Sequence, residues 1–166
     1  INRKRLELNV GLNINYTNIS IFPMGVSDMD SDNVGLIIAK DLGLSYIDKS
    51  NAIGDKINIS TVRLDFFCLQ HEIKRIDLLK IDAEGTDHLV LSGAEHLLGN
   101  RNINYIIVEC HSGTESAQEV KKILDNYGYD IFYLVRSSSM LVKNLDNYPC
   151  DKYKSNFKYF GDFTGC

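Results

Sequence analysis

A chain of 166 residues, 44% hydrophobic and 24% charged, carries enough apolar material for one well-formed core and too much for wholesale disorder. Its formal net charge of -4 offers no general attraction for a polyanion, and no apolar stretch reaches the length of a membrane span. The expectation is one soluble domain over residues 1–166, cytoplasmic, with no nucleic-acid partner and no membrane span.

Residues 1–12 support two readings, because Leu6, Leu8, Val10 and Leu12 alternate like a strand while their charged and amide neighbours suit a helix. "NISIFPMGVSD" reads as a strand carried by Ile19, Ile21 and Phe22 and ended by Pro23. Residues 28–57, rich in Asp, Gly, Ser and Asn around the apolar "VGLIIA", read as a variable excursion, either a lid or an inserted hairpin. From Ile76 the pattern sharpens. "IDLLKID" is short and strongly apolar, as expected of a central strand covered on both faces. Val90, Leu91, Ala94, Leu97 and Leu98 then recur at helical spacing, with Gly99 as the stop. "INYIIVE" is the next strand, and the crossover length predicts a parallel, right-handed unit. A capping box at Ser116-x-x-Glu119 opens a helix with Ala117, Val120, Ile123, Leu124 and Tyr127 on its apolar face, closed by Gly128. "YDIFYLV" follows as a strand, and "FKYFGDF" reads as a last, antiparallel one. The alternation of strand and helix from residue 76 to residue 135 predicts an open α/β sheet.

Cys68, Cys110, Cys150 and Cys166 lack zinc-site spacing, and the first two, beside apolar runs, read as core thiols. Asn15, Asn18 and Asn58 each open a glycosylation triplet, a pattern that an Asn-rich chain produces by chance and that does not establish secretion.

Ligands of open α/β sheets sit outside the carboxyl ends of the strands. Asp82 closes one strand there, Glu84 starts the turn, and Gly85 permits tight geometry or close approach of a ligand. Glu109, Cys110 and His111 occupy the equivalent edge of the next strand. Carboxylates and an imidazole in this position suit the orientation of a hydroxyl or acceptance of its proton. The structural alternative is that both acids cap the following helix or pair with Arg or Lys. Asp82, Glu84, Glu109 and His111 have the chemistry of cation ligands without the spacing of a metal motif, so a metal-free site is expected. His88 and His96 fall on the helix between the strands, where capping or exposure is the ordinary role.

The stretch "IDLLKIDAEGTDHLVLSGAEHLL" resembles the hallmark segment of FkbM-family methyltransferases, through Lys80-Ile81-Asp82-Ala83-Glu84-Gly85 and Val90-Leu91-x-Gly93-Ala94. "ISIFPMGVSD" resembles the family's third strand and its turn, Val62-x-Leu64-Asp65 the segment before the hallmark, and "IIVECH" the glutamate-ending fifth strand. The resemblance spans roughly residues 6–135. It implies a class I, Rossmann-like fold and S-adenosylmethionine-dependent methyl transfer to a hydroxyl oxygen, on a sugar or another hydroxylated small molecule. By the same resemblance Asp82 lies near the sulfonium methyl group and the acceptor, Glu84 supports the turn or the acceptor, and Gly25, Val26, Ser27 and Asp28 approach the adenine. Asp82 is the leading proton acceptor, with Glu109 and His111 as alternatives.

The chain departs from the family pattern ahead of "INRKRLELNV", where a glycine-rich first turn and an acidic second strand should stand. The family's strand order, third-second-first-fourth-fifth-seventh-sixth, would then leave a gap between the third and fourth strands. The expectation is an incomplete methyltransferase domain lacking its first two strands, its activity residing in the intact parent. A catalytically inactive partner-binding or scaffold domain is the alternative, and a homodimer is the candidate assembly that would supply a substitute pocket.

Overall fold

The computed structural model describes residues 2–13, 18–37, 46–47, 56–110, 114–135, 140–143 and 158–162. Helix α1 (Asn2–Leu12) settles the ambiguity of the first dozen residues. An alternating pattern wound into a helix has no single apolar face, and Leu6, Leu8 and Leu12 are accordingly exposed, while Arg3 and Glu7 pair one turn apart at 3.0 Å.

The expected strand at Ile19–Phe22 does not form. Among the described residues this segment has no ladder partner, and Phe22 instead packs edge-on against Phe67, with ring centroids 4.8 Å apart, and against His71 at 4.9 Å. The chain becomes extended only after Pro23, in β1 (Gly25–Val26), which pairs in parallel with β4 (Lys56–Val62). The excursion expected at 28–57 is largely sheet in its described part. Strand β2 (Ser31–Ile37) pairs antiparallel with β3 (Tyr46–Ile47) and with β4, giving the order β1-β4-β2-β3.

Helix α2 (Leu64–Gln70) leads to a second sheet, ordered β5-β6-β9-β7-β8. Strands β5 (Ile76–Ile81) and β6 (Ile103–Glu109) are parallel, as the crossover length requires. Strand β9 (Lys158–Asp162) inserts antiparallel between β6 and β7 (Asp130–Val135), and β8 (Met140–Val142) completes a hairpin with β7. The expected central position of β5 is corrected here, since it stands at the edge of the sheet. Its apolar run is not covered on both faces: Leu78 is 55% exposed, and Tyr105, its register partner on β6, is 46% exposed.

The other face carries the core. Ile81, Ile106 and Val108 are packed under α3 (Asp87–Ser92), α4 (Glu95–Gly99) and α5 (Glu115–Asn126), with Leu91, Leu98, Val120 and Leu124 fully enclosed. Each such aliphatic side chain contributes about 1.5–3 kcal/mol on burial. Cys68 and Cys110 are buried free thiols within this core, whereas Cys150 and Cys166 lie outside the described residues.

Three helix boundaries differ from expectation. The helix after β5 is broken at Gly93-Ala94, and there the backbone runs so close to Ser27 that a side chain on Gly93 would strike its carbonyl. Gly99 belongs to α4, and it is Arg101, at φ 56°, that takes the left-handed conformation beyond the helix end. Thr114, not Ser116, caps α5, its hydroxyl accepting from Ala117 N at 3.2 Å. Gly128, at φ 74°, closes α5 as expected.

Candidate active site

The turn after β5 is built by one buried carboxylate. Asp87, 1% exposed, accepts hydrogen bonds from Ala83 N at 2.8 Å and Gly85 N at 3.2 Å, while Thr86 Oγ1 donates to Ala83 O at 2.8 Å. These bonds hold Glu84 at φ 47° and Gly85 at φ 92°. A non-glycine residue in the left-handed region costs about 1–2 kcal/mol, and two charge-assisted bonds to backbone N–H groups offset that cost. The half-buried Glu84 carboxylate makes no side-chain hydrogen bond or ion pair among the described residues.

The ladder pairs Ile81 with Val108, so Asp82 and Glu109 follow at neighbouring carboxyl ends. Between them lies Lys80, whose ammonium donates to Asp82 Oδ2 at 2.7 Å and stands 4.0 Å from Glu109 Oε2. The hydrogen bond to Asp82, reinforced by the charges of Asp82 and Glu109, raises the Lys80 pKa above its ordinary value, so this side chain is an ammonium at neutral pH. Asp82 thus takes the structural role of an ion pair with Lys, through Oδ2. Behind the turn, the half-buried His88 joins its Nδ1 to Ser116 Oγ at 3.0 Å and ties α3 to α5, while His96 is exposed. Burial, with the nearby negative charge of Asp87, pushes the Cys110 thiol up to about 12.

Two of the residues expected at the adenine share a cavity with Ala83 and Thr86 of this turn, while Asp82, Glu84 and Glu109 stand outside its lining. Gly25 and Val26, together with Ala83 and Thr86, line this groove of about 960 Å³, which also takes in Leu6, Met24 and Ile59. Ser27 is buried: its N–H donates to Val62 O at 3.0 Å, its hydroxyl donates to Asp28 Oδ1 at 2.9 Å, and its carbonyl abuts Gly93. Thus Gly25 and Val26 face the groove, whereas Ser27 anchors the end of β1. His111 lies outside the described residues. Among the described residues no group of three or more His, Cys, Asp or Glu side chains is placed to hold a metal ion, and no helix is long and apolar enough to cross a membrane.

Two residues of this corner were not singled out from the sequence. Lys80 stands two positions before Asp82, and a strand's period of two puts both on one face, so a signal existed. Asp87 carried a weaker one, an acid just after a Gly turn at a helix start.

No curated protein and no solved structure matches the chain. A family model described as the methyltransferase FkbM domain matches residues 1–131 of the 166. With an acidic turn at the carboxyl ends of two parallel strands in a mixed α/β fold, the chain belongs to the FkbM methyltransferase family.

Proposed function

We propose that the protein is an S-adenosylmethionine-dependent O-methyltransferase acting on a hydroxyl of a sugar or another small molecule, and that residues 1–166 are an incomplete class I domain. The observation that carries this reading is the juxtaposition of Asp82 and Glu109 at neighbouring parallel strand ends in a member of this family. The order β5-β6-β9-β7 follows the fourth, fifth, seventh and sixth strands of the class I sheet. Strands β1 and β5 each end their sheet and each pair in parallel on the other side, which is the arrangement that two inserted parallel strands would join into one sheet. The cavity that takes in Gly25 and Val26 of β1 also takes in Ala83 and Thr86 of the turn after β5.

The residues present suit the adenine end of the cofactor. Met24, Gly25, Val26 and Ile59 give the groove an apolar wall, Arg3 and Lys4 also line it, and Asp28, after β1, and Asp82, at the end of β5, stand outside its lining. When bound, the cofactor supplies an electrophilic methyl group on a sulfonium. Asp82 orients the acceptor hydroxyl and takes its proton as the oxygen is methylated, with Glu109 and His111 as neighbouring contributors. Glu84, held by the Asp87 turn, supports the acceptor side of the site, and no metal is required. A carbohydrate-sized acceptor and a cytoplasmic setting complete the proposal.

Isothermal titration with S-adenosylmethionine tests it. The full-length polypeptide is expected to bind one equivalent, and residues 1–166 weakly or not at all. Absence of binding by the full-length polypeptide refutes the methyltransferase reading. Tight one-to-one binding by residues 1–166 refutes the missing strands, or reveals a pocket completed by a homodimer.

A further inference from the structure

A half-exposed surface ion pair contributes about 0–1 kcal/mol to folding, so stability alone gives little reason to set Lys80 between two carboxylates at the end of a parallel strand pair. Its position has a chemical meaning if methyl transfer occurs there. In that step the acceptor's O–H bond breaks and its proton passes to Asp82. The O–CH₃ bond forms, the S–CH₃ bond breaks, and the electron pair stays on sulfur. A positively charged sulfonium thereby becomes a neutral thioether. Carboxylates clustered at the strand ends stabilise the reactant cation more than the transition state in which that charge is fading, and the excess slows the reaction. A fixed cation among them reduces the excess while leaving a carboxylate oxygen for the acceptor proton.

We infer that Lys80 is a positioning and charge-setting residue of this site, holding Asp82 and Glu109 in place and moderating their negative potential where the methyl group is transferred; the inference rests on the methyltransferase reading above. The geometry supporting it is the 2.7 Å bond to Asp82, the 4.0 Å approach to Glu109, and the ladder register that makes Asp82 and Glu109 neighbours. Lys80 does not serve as a base, since its partners favour the protonated ammonium.

The ratio of affinities for S-adenosylmethionine and S-adenosylhomocysteine reads this potential without any acceptor, because the two ligands differ by the methyl group and its positive charge. Both affinities are measured by titration calorimetry on the full-length polypeptide. Lys80→Met is expected to shift the ratio toward the sulfonium by about threefold to tenfold, the effect of one charge a few ångströms away in a high-dielectric setting. Lys80→Arg should keep the ratio near that of the wild type, Asp82→Asn should move it the other way, and raised salt should shrink every difference. A purely structural role would weaken both ligands alike. If Lys80→Met does not fold, Lys80→Gln is read in its place. An unchanged ratio, or equal weakening of both ligands, overturns the inference alone, whereas a wild-type protein that binds neither ligand overturns the methyltransferase reading with it.

Discussion

Replacing Gly93 with Ala tests how the two sheets are joined. A Cβ at this position would stand 3.1 Å from the carbonyl carbon of Ser27 and 3.3 Å from Arg63 Cα, and closer still to the Ser27 carbonyl oxygen. All three obstacles are backbone atoms, so no side chain can turn aside. The Ser27 N–Val62 O bond, 3.0 Å, and the Asp65 N–Gly93 O bond, 2.9 Å, fix the same junction. Overpacking a rigid site costs about 1–3 kcal/mol, and distortion of one such hydrogen bond adds about 0.5–1.5 kcal/mol. Gly93→Ala is therefore expected to destabilise by about 3 kcal/mol, lowering Tm by roughly 6–12 °C at about 2–4 °C per kcal/mol for a domain of this size. Two other glycines separate crowding from backbone conformation. Gly11 lies in α1 with open space around it, so Gly11→Ala should stabilise by about 0.5–1 kcal/mol. Gly85 also has open space but φ +92°, so Gly85→Ala should cost about 1–2 kcal/mol through backbone strain alone. Urea denaturation of the three variants gives the ranking. A Gly93→Ala protein within 1 kcal/mol of wild type would refute the close approach of the α3–α4 junction to β1.

If the protein is the proposed methyltransferase, Asp82→Asn should lower turnover by about 100-fold while changing methyl-donor affinity far less, as measured by steady-state kinetics beside calorimetry. Asp87→Asn replaces a buried acceptor of two backbone N–H groups with a side chain bearing a donor, and should cost about 2–3 kcal/mol in urea denaturation. Methyl transfer from S-adenosylmethionine should persist after chelation and dialysis; complete loss followed by stoichiometric recovery with Mg²⁺, Mn²⁺ or Ca²⁺ would contradict the metal-free site. Cys110, raised from 9.0 to about 12 mainly by burial, should resist iodoacetamide at pH 8 in the folded protein and react once it is unfolded. The sign of its linkage follows: the folded state holds the proton more tightly, so this contribution to stability is complete below pH 9.0 and is lost as pH rises towards about 12.

The elements from residue 76 to residue 135 were legible because their signals are local. Short apolar runs bounded by polar turns mark β5, β6 and β7, and the spacing of Val120, Ile123 and Leu124 before Gly128 marks α5. The placing of Asp82 and Glu109 at strand ends was legible for the same reason, since a carboxylate at a strand end can be read from the strand itself. The hallmark stretch from Lys80 to Ala94 was also enough to name the family, because its residue types and spacing are unusual together. Local pattern failed where a distant segment decides the outcome. Ile19–Phe22 has the composition of a strand, but a strand needs a partner for its backbone, and the aromatic contact with Phe67 took its place. The helix beginning at Asp87 has continuous helical periodicity, yet it breaks at Gly93, where a carbonyl sixty-six positions earlier in the chain, at Ser27, leaves no room for a side chain. The position of β5 at a sheet edge and the placing of Lys80 between Asp82 and Glu109 depend on which strands pair and in what register. A strand's side-chain period says which residues share a face; only the pairing of strands in three dimensions brings an ammonium on β5 to a carboxylate on β6.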